Sequence, residues 1–334
     1  MLNFHRNHRN LVITSLLVFA TLSFFVAVWP AYEMQETQPL PDMKEMTLAE
    51  RRGLDVYAKE NCMVCHTQQV RNIEMDEVWG ARPSMASDYY YSKARMDVWR
   101  QSPSVLGSER TGPDLTNVGQ RQPGQEWHLL HLYNPRIVMK ESVMPAYKWL
   151  FVEKDESKVT SRDIVVSVPA PFFRHKGKKI VATQEAIDLV RYLQSLKQAP
   201  LPGEAPDFIP YTKKEEVALP SSAASALPDG KKLYMQTCAA CHQSDGNGLA
   251  GAFPPLAKSA VVMDDSADKL IQIILQGYDA RTEYGVMPPF ADQLTDEEIA
   301  AIASYERSSW GNQAPPVTVE QVRTVRSTIA PPNQ

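Results

Sequence analysis

The sequence predicts a mainly α-helical chain, in which one N-terminal membrane-spanning helix precedes two small helical domains of similar plan joined by a proline-rich linker. Three observations carry that prediction. Residues 11–29 hold no charged side chain. The motif C-x-x-C-H occurs twice, at residues 62–66 and 238–242, each time followed by the same succession of landmarks. Between the copies lies a stretch with Pro200, Pro202, Pro206, Pro210, Pro220 and Pro228. A length of 334 residues leaves room for two or three domains, and a net charge of −4 is too mild to point to nucleic acid.

The apolar run makes about 28 Å of helix at ~1.5 Å per residue, enough to cross a hydrocarbon core. Arg6 and Arg9 precede it without an acid. By the positive-inside rule residues 1–10 stay in the cytoplasm, residues 11–32 form the anchor, and everything after them is exported. A cleaved signal peptide is the alternative. The run exceeds the usual apolar core of such a peptide, and Trp29, Pro30 and Tyr32 make no small-residue cleavage site. The two aromatics suit an interfacial anchor instead. The expectation is an uncleaved, single-pass protein of a bacterial inner membrane with its domains on the periplasmic side.

Cys62-Met63-Val64-Cys65-His66 and Cys238-Ala239-Ala240-Cys241-His242 have the spacing of c-type heme attachment. Two thiols so placed form thioether bonds to the two vinyl groups of one porphyrin, and the imidazole that follows becomes the fifth iron ligand. The motifs use all 4 cysteines, leaving none for a disulfide, a copper thiolate or a nucleophile. A zinc site would draw the two distant pairs together, and a thioredoxin-like pair needs no histidine after it. The motifs therefore predict two covalently bound heme c groups on His66 and His242. Export agrees, because covalent attachment takes place on that side.

Domain 1, residues 45–198, opens with the capping pair Thr47 and Glu50 and with Gly53-x-x-x-Tyr57 ahead of Cys62. Domain 2, residues 228–312, opens with Gly230-x-x-x-Tyr234 ahead of Cys238. Each then has a proline turn, Gly112-Pro113-Asp114-Leu115 and Phe253-Pro254-Pro255-Leu256, and a Val-Met-Pro loop, at Met144 and Met287. Each closes with an amphipathic helix: Ile187, Val190 and Leu193 in the first, Ile299, Ile302 and Tyr305, capped by Thr295 and Glu298, in the second. Residues 199–227 read as an extended linker, compatible with a swinging or a docked second domain, and residues 313–334 as a tail. Residues 151–183 read as an insertion with a charged loop at 153–158 and a β-like run at 164–168, without an assigned role.

Among 13 methionines, Met144 and Met287 stand apart as sixth-ligand candidates, because each lies between the proline turn and the last helix with a stiffening proline after it. Met139 is the rival in domain 1. Met63, Met75, Met85, Met96, Met235 and Met263 read as packing residues. His/Met ligation leaves the iron no open position, so the hemes relay electrons and do no bond chemistry. His128 and His131 share a helix face and are candidates for a metal or for the iron, although a locally bonded packing role is favoured. His175 lies in a basic turn.

The order of landmarks resembles class I cytochrome c domains, small helical modules around one heme. That resemblance implies that the carbonyls of Pro113 and Pro254 accept the Nδ1–H of the ligating histidines, and that the glycine on each first helix lets the last helix pack closely. Domain 1 resembles a narrower family. Cys65-His66-Thr67-Gln68-Gln69-Val70-Arg71, the run 107–115, Glu126-Trp127-His128, the run 131–136 and the run 141–150 are similar to the mono-heme subunit, subunit II, of cbb3-type cytochrome c oxidases. The resemblance implies a membrane partner, the heme–copper catalytic subunit that reduces oxygen, fed by a soluble or membrane electron donor such as a cytochrome c or a quinol-oxidising complex. Gln68, Arg71 and Arg110 fall in its motifs, the two arginines as candidates to neutralise heme propionates. The fused second domain departs from that family and resembles single cytochrome c domains of dehydrogenase cytochrome subunits and oxidase fusions, on the runs 245–248, 253–257 and 308–312.

The leading reading is thus a non-catalytic, di-heme electron-transfer subunit of a cbb3-like oxidase. The same role in a nitric oxide reductase is the alternative, followed by a free-standing anchored carrier. A di-heme peroxidase needs an open iron position, which the paired methionine loops oppose.

Overall fold

The computed structural model describes residues 6–90, 105–170, 172–210, 227–281 and 284–329. Met96, linker residues 211–226 and residues 330–334 lie outside them. The chain divides into two compact units, residues 1–45, 84–104 and 199–206, and residues 46–83, 105–198 and 207–334.

In the first unit, helix α1 (His8–Ser23) continues through a π-helical turn (Phe24–Val28) into α2 (Trp29–Glu33). Pro30 has no N–H to give, and the wider turn before it, where Trp29 N–H bonds to the Phe24 carbonyl, carries the helix past that gap. The whole segment His8–Glu33 has a mean hydropathy of 2.5 at its apolar window and buries none of it, so by length and composition it can cross a membrane. Trp29 is tied to Glu33 by an indole hydrogen bond of 2.8 Å.

The second unit holds both heme motifs. Helix α3 (Leu48–Lys59) starts at the expected Thr47–Glu50 capping box. The short α4 (Val118–Arg121) and α5 (Gln125–Tyr133) follow the first proline turn, and α6 (Gln184–Ser195) closes domain 1. Helices α7 (Gly230–Thr237), α8 (Ala239–His242), α9 (Asp268–Gln276) and α10 (Asp296–Ser308) build domain 2. Leu54, Tyr57, Leu129, Leu130, Leu189 and Val190 centre the first core; Ile271, Leu275, Ile299 and Val322 centre the second.

The same crossing is built twice. A Cβ on Gly53 would lie 2.0 Å from the Asp188 carbonyl oxygen, and one on Gly230 would lie 2.1 Å from that of Ala301. One turn on, Tyr57 meets Tyr192 and Tyr234 meets Tyr305, both with ring centroids 5.4 Å apart. The first and last helices of each domain thus touch backbone to backbone, as the resemblance implied. Gly53→Ala gains about 1 kcal/mol of helix preference. The clash is with backbone, which cannot rotate away, so a net loss of about 2 kcal/mol is expected. Thermal unfolding reads it, with Gly203→Ala, which meets nothing within 4 Å, as the unchanged control.

Two segments differ from the sequence reading. The insertion is a three-stranded antiparallel sheet in the order β1 (Phe151–Asp155), β3 (Lys178–Ala182), β2 (Val165–Val166). The charged loop expected at 153–158 is half strand, because its charges find partners: Glu153 with His175 and Lys178, Lys154 with Asp163, Glu156 with Lys179. Val166, Ile180 and Ala182 join the first core, and Val181 between the last two is buried as well. The stretch after residue 312 is not a loose tail. It carries α11 (Val319–Thr328), started by a Thr318–Gln321 capping box, and buries Val317 and Val322 in the second core. Arg326 fastens it to Asp296 at 2.7 Å and to the carbonyls of Ala291 and Leu294.

Domain 2 is docked on domain 1. Ala252 and Phe253 are buried in the first core, and Cys241 and Leu249 pack against it. Within the second unit, the Ala81 N–H bonds to Gln198 Oε1 at 2.9 Å, and the Glu74 N–H bonds to the Ile209 carbonyl at 3.0 Å.

Candidate heme-binding sites

Asn61 takes left-handed φ and ends the approach of α3, so that Cys62 opens a tight 3-10 turn (Cys62–Val64) that Cys65 closes through its N–H on the Cys62 carbonyl. In domain 2 the motif is helical, on α8. All four thiols are free. Burial pushes those of Cys62 and Cys241 up to about 12 and that of Cys238 well above its ordinary value, so they are held as neutral thiols.

Each histidine is aimed by a proline carbonyl. His66 Nδ1 lies 2.8 Å from Pro113 O, and His242 Nδ1 lies 2.9 Å from Pro254 O. The bond fixes the tautomer and leaves Nε2 as the available ligand atom. Burial lowers both imidazole pKa values, partly offset by these bonds, which favours the neutral form.

The proline turn is knitted to the first motif. Asp114 accepts from Thr67 Oγ1 at 2.6 Å and from the Gln69 N–H at 2.8 Å. Gln68 is buried and bonded to the Tyr192 hydroxyl at 2.9 Å, which ties the motif to α6. Arg71 and Arg110 both hold the buried Asp76, at 2.8 and 2.6 Å. Burial alone would raise the Asp76 carboxyl, but these two guanidinium groups hold it well below the usual carboxylate range. Arg110 also reaches Thr67 and the Gln69 carbonyl. Both candidate propionate partners are therefore taken up by a carboxylate.

Along the first methionine loop the Tyr147 N–H, three residues past Met144, bonds to the Leu132 carbonyl at 2.9 Å, and burial pushes the Tyr147 hydroxyl up to about 12. Met144 packs against the first core, whereas Met139 is 53% exposed. Met287 packs against the second core and pairs with Tyr278 in a β-bridge. Of the methionines read as packing residues, Met63 is buried, while Met75, Met85, Met235 and Met263 are exposed. The latter four lie on loops or outer helix faces where an unbranched apolar side chain has nothing to fill.

His128 is locally bonded, its Nε2 lying 2.8 Å from the Gln122 carbonyl, and burial brings it down to about 4. His131 stacks on Trp127 and is brought down to about 3 by burial and by His128 and His66. Among the described residues no three His, Cys, Asp or Glu side chains converge as a metal cluster.

Sequence reasoning missed Arg121 and Glu306. Arg121 donates to the Asp114 carbonyl, lies over the Trp79 ring at 5.2 Å and acts on His66; burial brings it down to about 10. Glu306, on α10, is buried and within electrostatic reach of Tyr234 and Cys238, and burial raises it to about 8. Nothing in a lone Arg or Glu of a helical run signals either. Three enclosed polar atoms without partners belong to this set: Arg121 Nε, His131 Nδ1 and Glu306 Oε2. Paired thiols, an aimed imidazole and unmatched polar atoms beside them fit heme c, toward which Arg121 and His131 would offer hydrogen-bond donors.

Glu306 gives a pH prediction. From its ordinary 4.5 to about 8 the folded chain keeps a proton that the unfolded chain releases. Its contribution is therefore full below pH 4.5 and is lost as pH rises through the window. Glu306→Gln removes the slope and stabilises the protein at pH 8 by on the order of 3 kcal/mol, read as the urea midpoint at pH 5 and pH 8.

The family model of the cytochrome c oxidase mono-heme subunit/FixO matches residues 2–188, and that of the cbb3-type cytochrome c oxidase subunit III matches residues 225–305. Cytochrome c-552 of Thermus thermophilus is 38% identical over 125 residues, covering 33% of this chain and 83% of that protein. The cytochrome c subunit of the quinone alcohol dehydrogenase of Gluconacetobacter polyoxogenes is 34% identical over 158 residues, 43% of this chain and 31% of that protein. The fructose dehydrogenase cytochrome subunit of Gluconobacter japonicus is 37% identical over 115 residues, 32% of this chain and 24% of that protein. The chain thus spans about a third or less of the length of these dehydrogenase subunits. With its N-terminal half and more matched end to end, the chain belongs to the mono-heme subunit family of cytochrome c oxidases, a heme c protein of electron transport that carries a second, cbb3-type cytochrome domain in the same polypeptide.

Proposed function

We propose that this chain is the anchored di-heme electron-input subunit of a cbb3-like oxidase: it takes electrons from a donor at the His242 motif, moves them to the His66 motif and delivers them to the heme–copper catalytic subunit. Heme c supplies one-electron exchange between ferric and ferrous iron. The carrying observation is the duplicated bond from histidine Nδ1 to a proline carbonyl, at 2.8 and 2.9 Å, in two domains that each also carry a Val-Met-Pro sequence. That symmetry supports a heme in each domain, axial ligands His66/Met144 and His242/Met287, and attachment through Cys62, Cys65, Cys238 and Cys241. The helix His8–Glu33 supports a membrane anchor, and Arg6 and Arg9 ahead of its apolar run at 11–29 support a periplasmic placement of both domains.

The intact mass of the purified protein is expected to exceed the polypeptide by two hemes and to retain the N-terminal helix. A single heme, or a mature terminus near Tyr32, defeats those parts of the reading. The likeness of domain 2 to dehydrogenase cytochrome subunits favours a second reading, in which a quinone-linked dehydrogenase is the partner. Co-purification decides: a multi-helix protein with heme b and copper supports the oxidase, and a nitric oxide reductase lacks the copper.

A further inference from the structure

One side chain joins the two heme motifs across the domain boundary. Trp127 stands on α5, one turn before His131, and the two rings are stacked with centroids 4.6 Å apart and planes at 10°. His131 is enclosed, lies within electrostatic reach of His66, and has no partner for Nδ1. On its other side the Trp127 indole N–H donates to the Ala240 carbonyl at 3.1 Å, inside Cys238-Ala239-Ala240-Cys241-His242. The contact is not isolated. Its neighbour Glu126 packs on the Gly285 backbone, where a Cβ would lie 2.9 Å from Glu126 Cγ, and its carboxylate accepts the Ser167 N–H at 3.1 Å. Cys62 of the first motif and Cys241 of the second pack against one continuous apolar core.

We propose that Trp127 is the docking residue that holds the second heme motif on the first and sets the electronic coupling between them. This rests on a heme being carried at each motif, as proposed above. One electron passes from ferrous to ferric iron; no bond forms or breaks and no proton is needed, so what the protein supplies is proximity and contact. Electron tunnelling decays steeply across gaps and less steeply along bonds and hydrogen bonds. The stack on His131 and the hydrogen bond to Ala240 shorten the gap from both ends. The indole suits both tasks, since a large flat ring packs and a single N–H orients. Phenylalanine offers the first without the second.

The test uses the full-length protein with both hemes. The inter-heme electron rate is read after photoreduction, the magnetic interaction between the ferric hemes by EPR, and both midpoint potentials by titration. Trp127→Ala is expected to slow inter-heme transfer about tenfold and to weaken the magnetic interaction, with potentials unchanged. Trp127→Phe is expected to keep the docking and slow transfer about threefold. A full rate in the Ala variant overturns the proposal, and so does a slowed rate that shifted potentials account for. If the Ala variant loses the second heme, a full rate in the Phe variant overturns it, and a slowed one sustains it. A chain with one heme defeats the di-heme reading itself, which the heme count of the parent protein shows separately. A donor that reduces the first heme directly defeats the direction of flow while leaving the Trp127 effect intact.

Discussion

Met144→Ala is expected to open the iron proposed at His66 to carbon monoxide and to lower its potential, while Met139→Ala is expected to change neither. Both residues lie in one loop, and burial separates them: Met144 packs against the first core and Met139 is 53% exposed. Arg136 fixes the loop by donating to the Met144 carbonyl at 3.0 Å, and the Tyr147 N–H ties its end to the Leu132 carbonyl at 2.9 Å. A thioether is a soft, neutral ligand that favours ferrous iron. Its loss lowers the potential by on the order of 0.1–0.3 V, a part of the ~0.8 V that axial ligation spans. Met144→His keeps the iron low-spin at a lower potential. Redox titration and the carbon monoxide difference spectrum are the measurements. Carbon monoxide binding to the Met139 variant and not to the Met144 variant makes Met139 the ligand.

The parts of this molecule that repeat were the ones its sequence displayed. Gly53 with Tyr57 and Gly230 with Tyr234 recur ahead of each heme motif, the resemblance to class I cytochrome c domains implies a close helix crossing at each glycine, and the structure packs both crossings the same way. Pro113 and Pro254 stand at matching places, and each carbonyl meets its histidine. What stayed hidden depends on residues far apart in the chain. The strand β1 reads as a loop because Glu153 and Lys154 stabilise it only through His175, Lys178 and Asp163. Arg71 and Arg110 read as free cations until Asp76 is placed between them. The Glu126-Trp127-His128 motif was visible, but nothing local says that Trp127 meets Ala240, 113 positions away. The proline-rich linker allowed a swinging or a docked second domain; Phe253 in the first core selects the docked one.

That docking sharpens the test of electron flow. Removing residues 221–334 is expected to slow reduction by the natural donor at least about tenfold, while the complex assembles and small mediators still reduce the heme at His66. The deletion also strips Ala252 and Phe253 from the first core, so a slowed rate alone could reflect damage to domain 1. The paired substitution Cys238→Ala and Cys241→Ala separates the two. It removes the covalent attachment of the second heme and keeps the buried contacts of Phe253 and the hydrogen bond from Trp127 to the Ala240 backbone. If electrons enter through domain 2, the substituted full-length chain is slowed as much as the truncated one. If they enter at domain 1, the substituted chain accepts electrons at the full rate and the order donor, His242, His66, catalytic subunit is wrong. The anchor adds a physical reason for that order. Along the chain domain 1 begins at α3, a short span after the apolar helix ends at Glu33, so the proposed anchor would tether domain 1 more tightly than domain 2 to a membrane partner.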